Sequence, residues 1–187
     1  NNLDEFFRVR VAGLKRALEL KEKLAVDTFF ERPQKILDKI NKIVIAQQED
    51  FDKTWKKIQE EMAEQKIFIK TSKKLTEKQK DFARKYFDEE VESNVIPILL
   101  HDNVPLPYLR EKSLYLGIAM RRKDWQYTTK FAIIEVPAKS NGRFVILPTE
   151  NNDETDIMLL EDVIAFNLPH IFSYFGYDEF KANAFKV

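Results

Sequence analysis

Asn2 and Glu5 stand three residues apart in the opening run NNLDEFFRVRVAGLKR. That spacing has the form of a capping box, in which the Asn side chain takes a backbone N–H of the first turn while the Glu reaches back. The same spot offers other chemistry. A helix start carries partial positive charge and spare N–H donors, a setting that suits a nucleotide. An Asn amide presents both a donor and an acceptor and so could read an adenine edge. Two readings therefore stay open for Asn2: a helix cap, or the exposed edge of a binding site.

Other residues that could do chemistry are few. His101 lies in LLHDNVP and His170 follows Pro169, and no partner stands at ligand spacing from either, so both read as surface or cap residues. Asp153, Glu154 and Asp156 in TENNDETD could hold a hard cation, yet the stretch lacks the spacing and the glycine of a calcium loop and reads as a solvated turn. Arg121, Arg122 and Lys123 read as a charged strand end. The chain has no Cys, no glycine-rich phosphate loop, no G-x-S-x-G and no H-E-x-x-H, so we assign it neither catalytic nor metal-binding residues.

Composition narrows the partners. The 187 residues carry 31 basic and 31 acidic side chains, a balance that argues against nucleic acid, whose binding needs a concentrated basic face. No apolar run approaches the roughly 20 residues that span a bilayer. The absence of Cys fits a reducing cytoplasm, and a chain that begins at Asn1 without Met reads as a fragment.

The elements that must position these residues follow from periodicity. From Leu3, apolar residues recur at Phe6, Phe7, Val11, Leu14, Leu18 and Leu24, the stripe of an amphipathic helix. A break is expected near TFFERP, with Pro33 in the first turn of a second, longer helix whose stripe runs through Ile36, Ile40, Ile43, Phe51, Trp55 and Ile58. The two are expected to fold back antiparallel, as in a bundle. KIFIK reads as a strand, and Thr76 with Gln79 as the capping box of another helix. Pro97, Pro105 and Pro107 predict irregular chain. LYLGIAM, KFAIIEVP and RFVILP read as strands of an antiparallel sheet, MLLEDVIAFNLPHIFSYF as one helix, and NAFKV as the start of a strand. The fold class is α+β: a helical domain over residues 1–65 and a head domain over residues 66–187 with a mainly antiparallel sheet.

NNLDEFFRVRVAGLKR resembles, long and ungapped, the signature of the N-terminal domain of bacterial polyphosphate kinases. The likeness continues through QQEDFDKTWKKIQEEMAEQKIFI, VIPILL, RFVILP and LLEDVI, and so spans essentially the whole chain. The family makes inorganic polyphosphate reversibly from the terminal phosphate of ATP through a phosphorylated histidine. Its catalytic histidine and its magnesium-binding groups lie in later domains, so the resemblance implies no catalytic or metal residue in this chain, and neither His101 nor His170 takes the phosphohistidine role. One position carries over: Asn2, the second Asn of N-N-L-D-E-F, which lies against the ATP adenine in the family. Asp4, Glu5, Arg8 and Arg10 share the motif without an assigned contact. Implied partners are ATP, polyphosphate, the chain's own C-terminal catalytic domains and further copies in a homo-oligomer; Mg2+ would be bound by those later domains, and the expected placement is cytoplasmic or peripheral to the inner membrane. The alternative is a dimerisation or scaffold module with no nucleotide role.

Overall fold

Two stretches of Lys, Glu, Gln, Leu and Ile, residues with small helix penalties, form the long helices of the first third of the chain. In the computed structural model the described residues are 2–24, 31–122 and 129–187. Helix α1 (Asn2–Glu5) runs through a π-helical segment (Phe6–Val11) into α2 (Ala12–Leu24), and α3 (Glu31–Glu64) follows. The 34 residues of α3 make a rod of about 50 Å at the usual rise. Pro33 sits in its first turn as expected, where a missing N–H has no partner to lose. The turn expected near TFFERP, on which the antiparallel pairing depends, lies outside the described residues.

Contacts divide the chain into a unit Asn1–Glu60 and a unit Glu61–Val187. Among the described side chains of the first, Val11 and Leu37 are buried, whereas Ile43, Phe51, Trp55 and Ile58 of the expected stripe are exposed. The helix ends at Glu64, and in the turn after it Lys66 takes the left-handed conformation (φ 59°) that closes many helices.

The second unit holds two sheets. One is antiparallel throughout, in the order β2 (Pro97–Leu100), β4 (Lys130–Glu135), β3 (Leu114–Arg121), β7 (Glu179–Lys186). The other has the order β1 (Ile67–Ile69), β6 (Thr155–Leu159), β5 (Phe144–Leu147), with β1 parallel to β6. Period-two alternation sends Leu116, Ile118 and Met120 of β3 and Ala132 and Ile134 of β4 into one core. Phe87, Val91, Val163, Ile164 and Phe172 fill it from the helical side, Phe87 and Phe172 with no exposed surface at all.

Helix α4 (Glu77–Tyr86) starts with the expected capping box: Gln79 N–H donates to Thr76 Oγ1 (3.3 Å) and Thr76 N–H donates to Gln79 Oε1 (3.2 Å). It ends in a π-helical turn, Phe87–Val91. Pro97 opens a real strand, in place of irregular chain; β2 is an edge strand, and a first-residue Pro there forfeits no ladder bond. The expected single C-terminal helix is the end of a strand, two short helices and a 3-10 turn (Ser173–Phe175). Met158 and Leu159 complete β6, α6 spans Leu160–Phe166 and α7 spans Leu168–Ile171. The buried Asn167 divides the helices, donating to Val163 O (2.9 Å) and Ala83 O (3.4 Å), with Pro169 in the first turn of α7. The strand begun by NAFKV starts earlier, at Glu179, because β3 offers a partner for all eight residues.

Candidate functional site

Asn2, the first of the described residues, has helical backbone in α1. A cap residue is non-helical, so Asn2 does not take the cap position expected from its spacing to Glu5, and its side chain is exposed. Asp4 and Glu5 occupy the first turn, the favourable end of the helix dipole for acids. Four residues on, the helix widens: Ala12 N–H donates to Phe7 O, five residues back. Such π-helical turns re-aim side chains and recur at functional sites. Here Val11 is turned into cover, while Phe6 and Phe7, ring centroids 5.5 Å apart and nearly perpendicular, stay partly in water. Leu3 and Arg8 of the motif also make contacts.

The other candidates fall in the second unit. Asp156 is buried, contrary to the solvated turn expected of TENNDETD. Its Oδ2 accepts from Gln79 Nε2 at 2.7 Å, and the same amide nitrogen donates to Pro148 O at 3.1 Å. Its Oδ1 accepts no hydrogen bond of good geometry, yet Lys70 Nζ lies 3.2 Å away as a charge partner. Asp156 is thus a structural ion-pair residue joining β6 to α4 and to the end of β1. Asp153 pairs with Lys66 (3.5 Å), and Glu154 accepts from Asn151 Nδ2 (3.1 Å). Arg121 Nε donates to Thr129 Oγ1 (2.9 Å), fitting the strand-end reading, and Lys123 lies outside the described residues.

His101 is exposed. His170 has partners that spacing hid: its Nε2 lies 3.5 Å from Glu92 Oε1 and 3.8 Å from Asp88 Oδ1, carboxylates of the 3-10 turn and the π-helical turn that follow α4. All three are exposed, and the imidazole edge rests against the Phe87 ring at 6.2 Å. With the imidazole protonated, the cluster can pair charges between α7 and the turns that follow α4.

Sequence reading passed over a groove of about 850 Å³ at one end of the antiparallel sheet. Ile98 of β2, Tyr115 of β3, Glu135 of β4 and Lys186 of β7 reach it, as do Arg110, Lys112 and the short helix α5 (Ala138–Asn141). Its walls are fixed by backbone: Arg110 N–H donates to Tyr115 Oη (2.7 Å), and Lys112 N–H donates to Val187 O (2.7 Å). At the far wall Gly142 takes φ 73° and ψ 173°, a conformation open to little but glycine, and turns the chain from α5 to Arg143. Arg143 donates through Nη2 (2.6 Å) and Nε (3.2 Å) to the buried Glu161, and those hydrogen bonds hold its guanidinium above the ordinary arginine range. Burial, with the adjoining Glu161 charge second, raises the Asp162 carboxyl.

The chain matches two families end to end: polyphosphate kinase N-terminal domain over residues 1–70 and polyphosphate kinase middle domain over residues 78–187. It is 30% identical to the polyphosphate kinase of Vibrio parahaemolyticus, with all of this chain aligned to 26% of that protein. It is likewise 30% identical to that of Escherichia coli K12, covering 27% of it. The crystal structure of polyphosphate kinase from Porphyromonas gingivalis superposes on all of this chain with a TM-score of 0.77 at 27% identity, over 26% of that chain. This chain therefore spans about a quarter of the length of these relatives. From the N-N-L-D-E-F helix to the last strand of the head sheet, it belongs to the polyphosphate kinase family.

Proposed function

We propose that this chain is the N-terminal and head portion of an enzyme that reversibly transfers the terminal phosphate of ATP onto inorganic polyphosphate, and that Asn2 faces the adenine. The observation that carries the reading is the N-N-L-D-E-F run at the head of a family match covering both parts of the chain, with Asn2 exposed at the first helical position. An exposed amide there can donate to and accept from a purine edge without unfolding anything. Its share of the mechanism is positioning: holding the base fixes the direction of the triphosphate, and phosphoryl transfer depends chiefly on alignment and charge stabilisation.

The transferring histidine and the Mg2+ ligands belong, on this reading, to the chain's own C-terminal catalytic domains, partners in the intact homo-oligomeric enzyme. The helical portion to Gln65 and the head from Lys66 act as the two functional domains. Among the described residues no helix is long and apolar enough to cross a membrane, and we place the enzyme in the cytoplasm or at the inner membrane surface. The test is polyphosphate synthesis from ATP and Mg2+ by this chain alone and after addition of separately expressed C-terminal domains. Synthesis in the mixture alone supports the reading; synthesis by this chain alone overturns it.

The exposed apolar residues of α3, Ile43, Phe51 and Ile58 among them, favour a second reading, a dimerisation or scaffold module without nucleotide. That module predicts an oligomer whose mass by light scattering is indifferent to ATP.

A further inference from the structure

The chain is neutral overall, but its groove is not. Arg110, Lys112, Lys139, Arg143 and Lys186 line it against a single lining carboxylate, Glu135. Arg143 is committed to Glu161, and Arg110 lies 3.9 Å from Glu135. Lys112, Lys139 and Lys186 are exposed. These lysines come from a loop, from α5 and from the end of β7. A concave surface lined by one sign of charge concentrates its field and gathers counter-ions of opposite sign. A compact triphosphate would want a glycine-rich cradle or convergent donors. Ammonium groups on three different segments, each a point charge that suits phosphate without a fixed geometry, suit a polyanion.

We propose that this groove is a binding track for a linear inorganic phosphate polymer, held through Lys112, Lys139 and Lys186. The choice of polymer rests on the polyphosphate kinase reading above; the charge pattern itself does not. The head would then retain the chain electrostatically, so that polymer lengthened or shortened elsewhere stays tethered.

The test is fluorescence anisotropy of end-labelled polyphosphate with the 187-residue chain over a salt series. The triple variant Lys112→Glu, Lys139→Glu, Lys186→Glu is expected to bind at least about tenfold more weakly, with a salt slope shallower by about two to three, near one per lost cation. Glu135→Gln, which removes the lining carboxylate, is expected to bind about twofold more tightly. A control with the same charge change on α3, Lys53→Glu, Lys56→Glu, Lys57→Glu, should bind like the parent chain, which separates a site from net charge. Equal affinity of parent and groove variant, equal loss in the α3 control, or no binding by the parent overturns the proposal. Tighter binding of a single-stranded oligonucleotide at matched charge overturns it too, in favour of nucleic acid. The assay contains neither ATP nor any change at Asn2, so its failure is distinct from failure of the nucleotide reading.

Discussion

Replacing Asp156 with Ala attacks the join between the β1–β6–β5 sheet and α4, and its cost can be worked from contacts. The carboxylate is 6% exposed and Gln79, its main partner, 3%. Deleting it removes a 2.7 Å charge-assisted hydrogen bond and leaves Gln79 Nε2 with Pro148 O alone; such a bond is worth about 1.5–3 kcal/mol. Lys70, its side chain 26% exposed, loses its charge partner at 3.2 Å. Water still reaches that ammonium, so this second loss stays within about 1 kcal/mol. The expected total is about 3 kcal/mol, a drop in Tm of roughly 10 °C for a unit of this size. Urea unfolding followed by far-UV circular dichroism reads it directly, as a lower midpoint at unchanged m. Gln79→Leu closes a double-mutant cycle: with the amide gone, Asp156→Ala should cost less by at least about 1 kcal/mol. A loss below about 1 kcal/mol in the single variant, or strict additivity in the cycle, would refute the claim that this buried pair organises the join.

Three further outcomes follow from the same structure. Arg143→Ala should cost about 2 kcal/mol in urea unfolding, short of the 3–5 of a fully buried pair because Arg143 is half exposed, and Arg143→Lys should restore little, since an ammonium cannot reproduce the two-point contact with Glu161. The raised Asp162 carboxyl means the folded chain holds that proton more tightly than the unfolded chain, so this group favours folding at acid pH and the benefit is lost as pH rises through its folded-state pKa. Asp162→Asn should therefore be slightly more stable than the parent at pH 7, by less than about 1 kcal/mol after solvent screening, with the gain gone by about pH 3, below the ordinary carboxylate range; thermal melts at both pH values decide. Gly142→Ala should cost about 1–3 kcal/mol, because no side chain meets a steric obstacle there and the strain is wholly that of φ 73° and ψ 173°.

Local signals were legible and distant ones were not. The Thr76–Gln79 box, the strands of LYLGIAM and KFAIIEVP, the length of α3 and the α+β class all rest on patterns contained within one window of sequence, and the structure has them. Asp156 was misread because TENNDETD has the composition of a turn, while its burial is decided by Gln79, 77 positions earlier. The same holds for His170, whose partners Asp88 and Glu92 come from the turns that follow α4. The C-terminal helix looked continuous because Leu, Ile and Phe permit either state; Asn167, satisfied by Ala83 O across the core, sets the break. The basic groove left no trace in sequence at all, since its cations are scattered from Arg110 to Lys186 among as many acids. Asn2 came from a motif and not from physics: its spacing to Glu5 suggested a cap, whereas Asn2 itself has helical backbone.

That leaves Asn2 as the position on which the functional account turns. The measurement is the Michaelis constant for ATP in polyphosphate synthesis by the intact enzyme carrying Asn2→Ala. The side chain is exposed, so the fold should be unaffected, and loss of one or two hydrogen bonds to the base, about 1–2 kcal/mol, should raise that constant roughly 5- to 30-fold. The constant for polyphosphate in the reverse reaction should stay put. An unchanged constant for ATP would contradict the account.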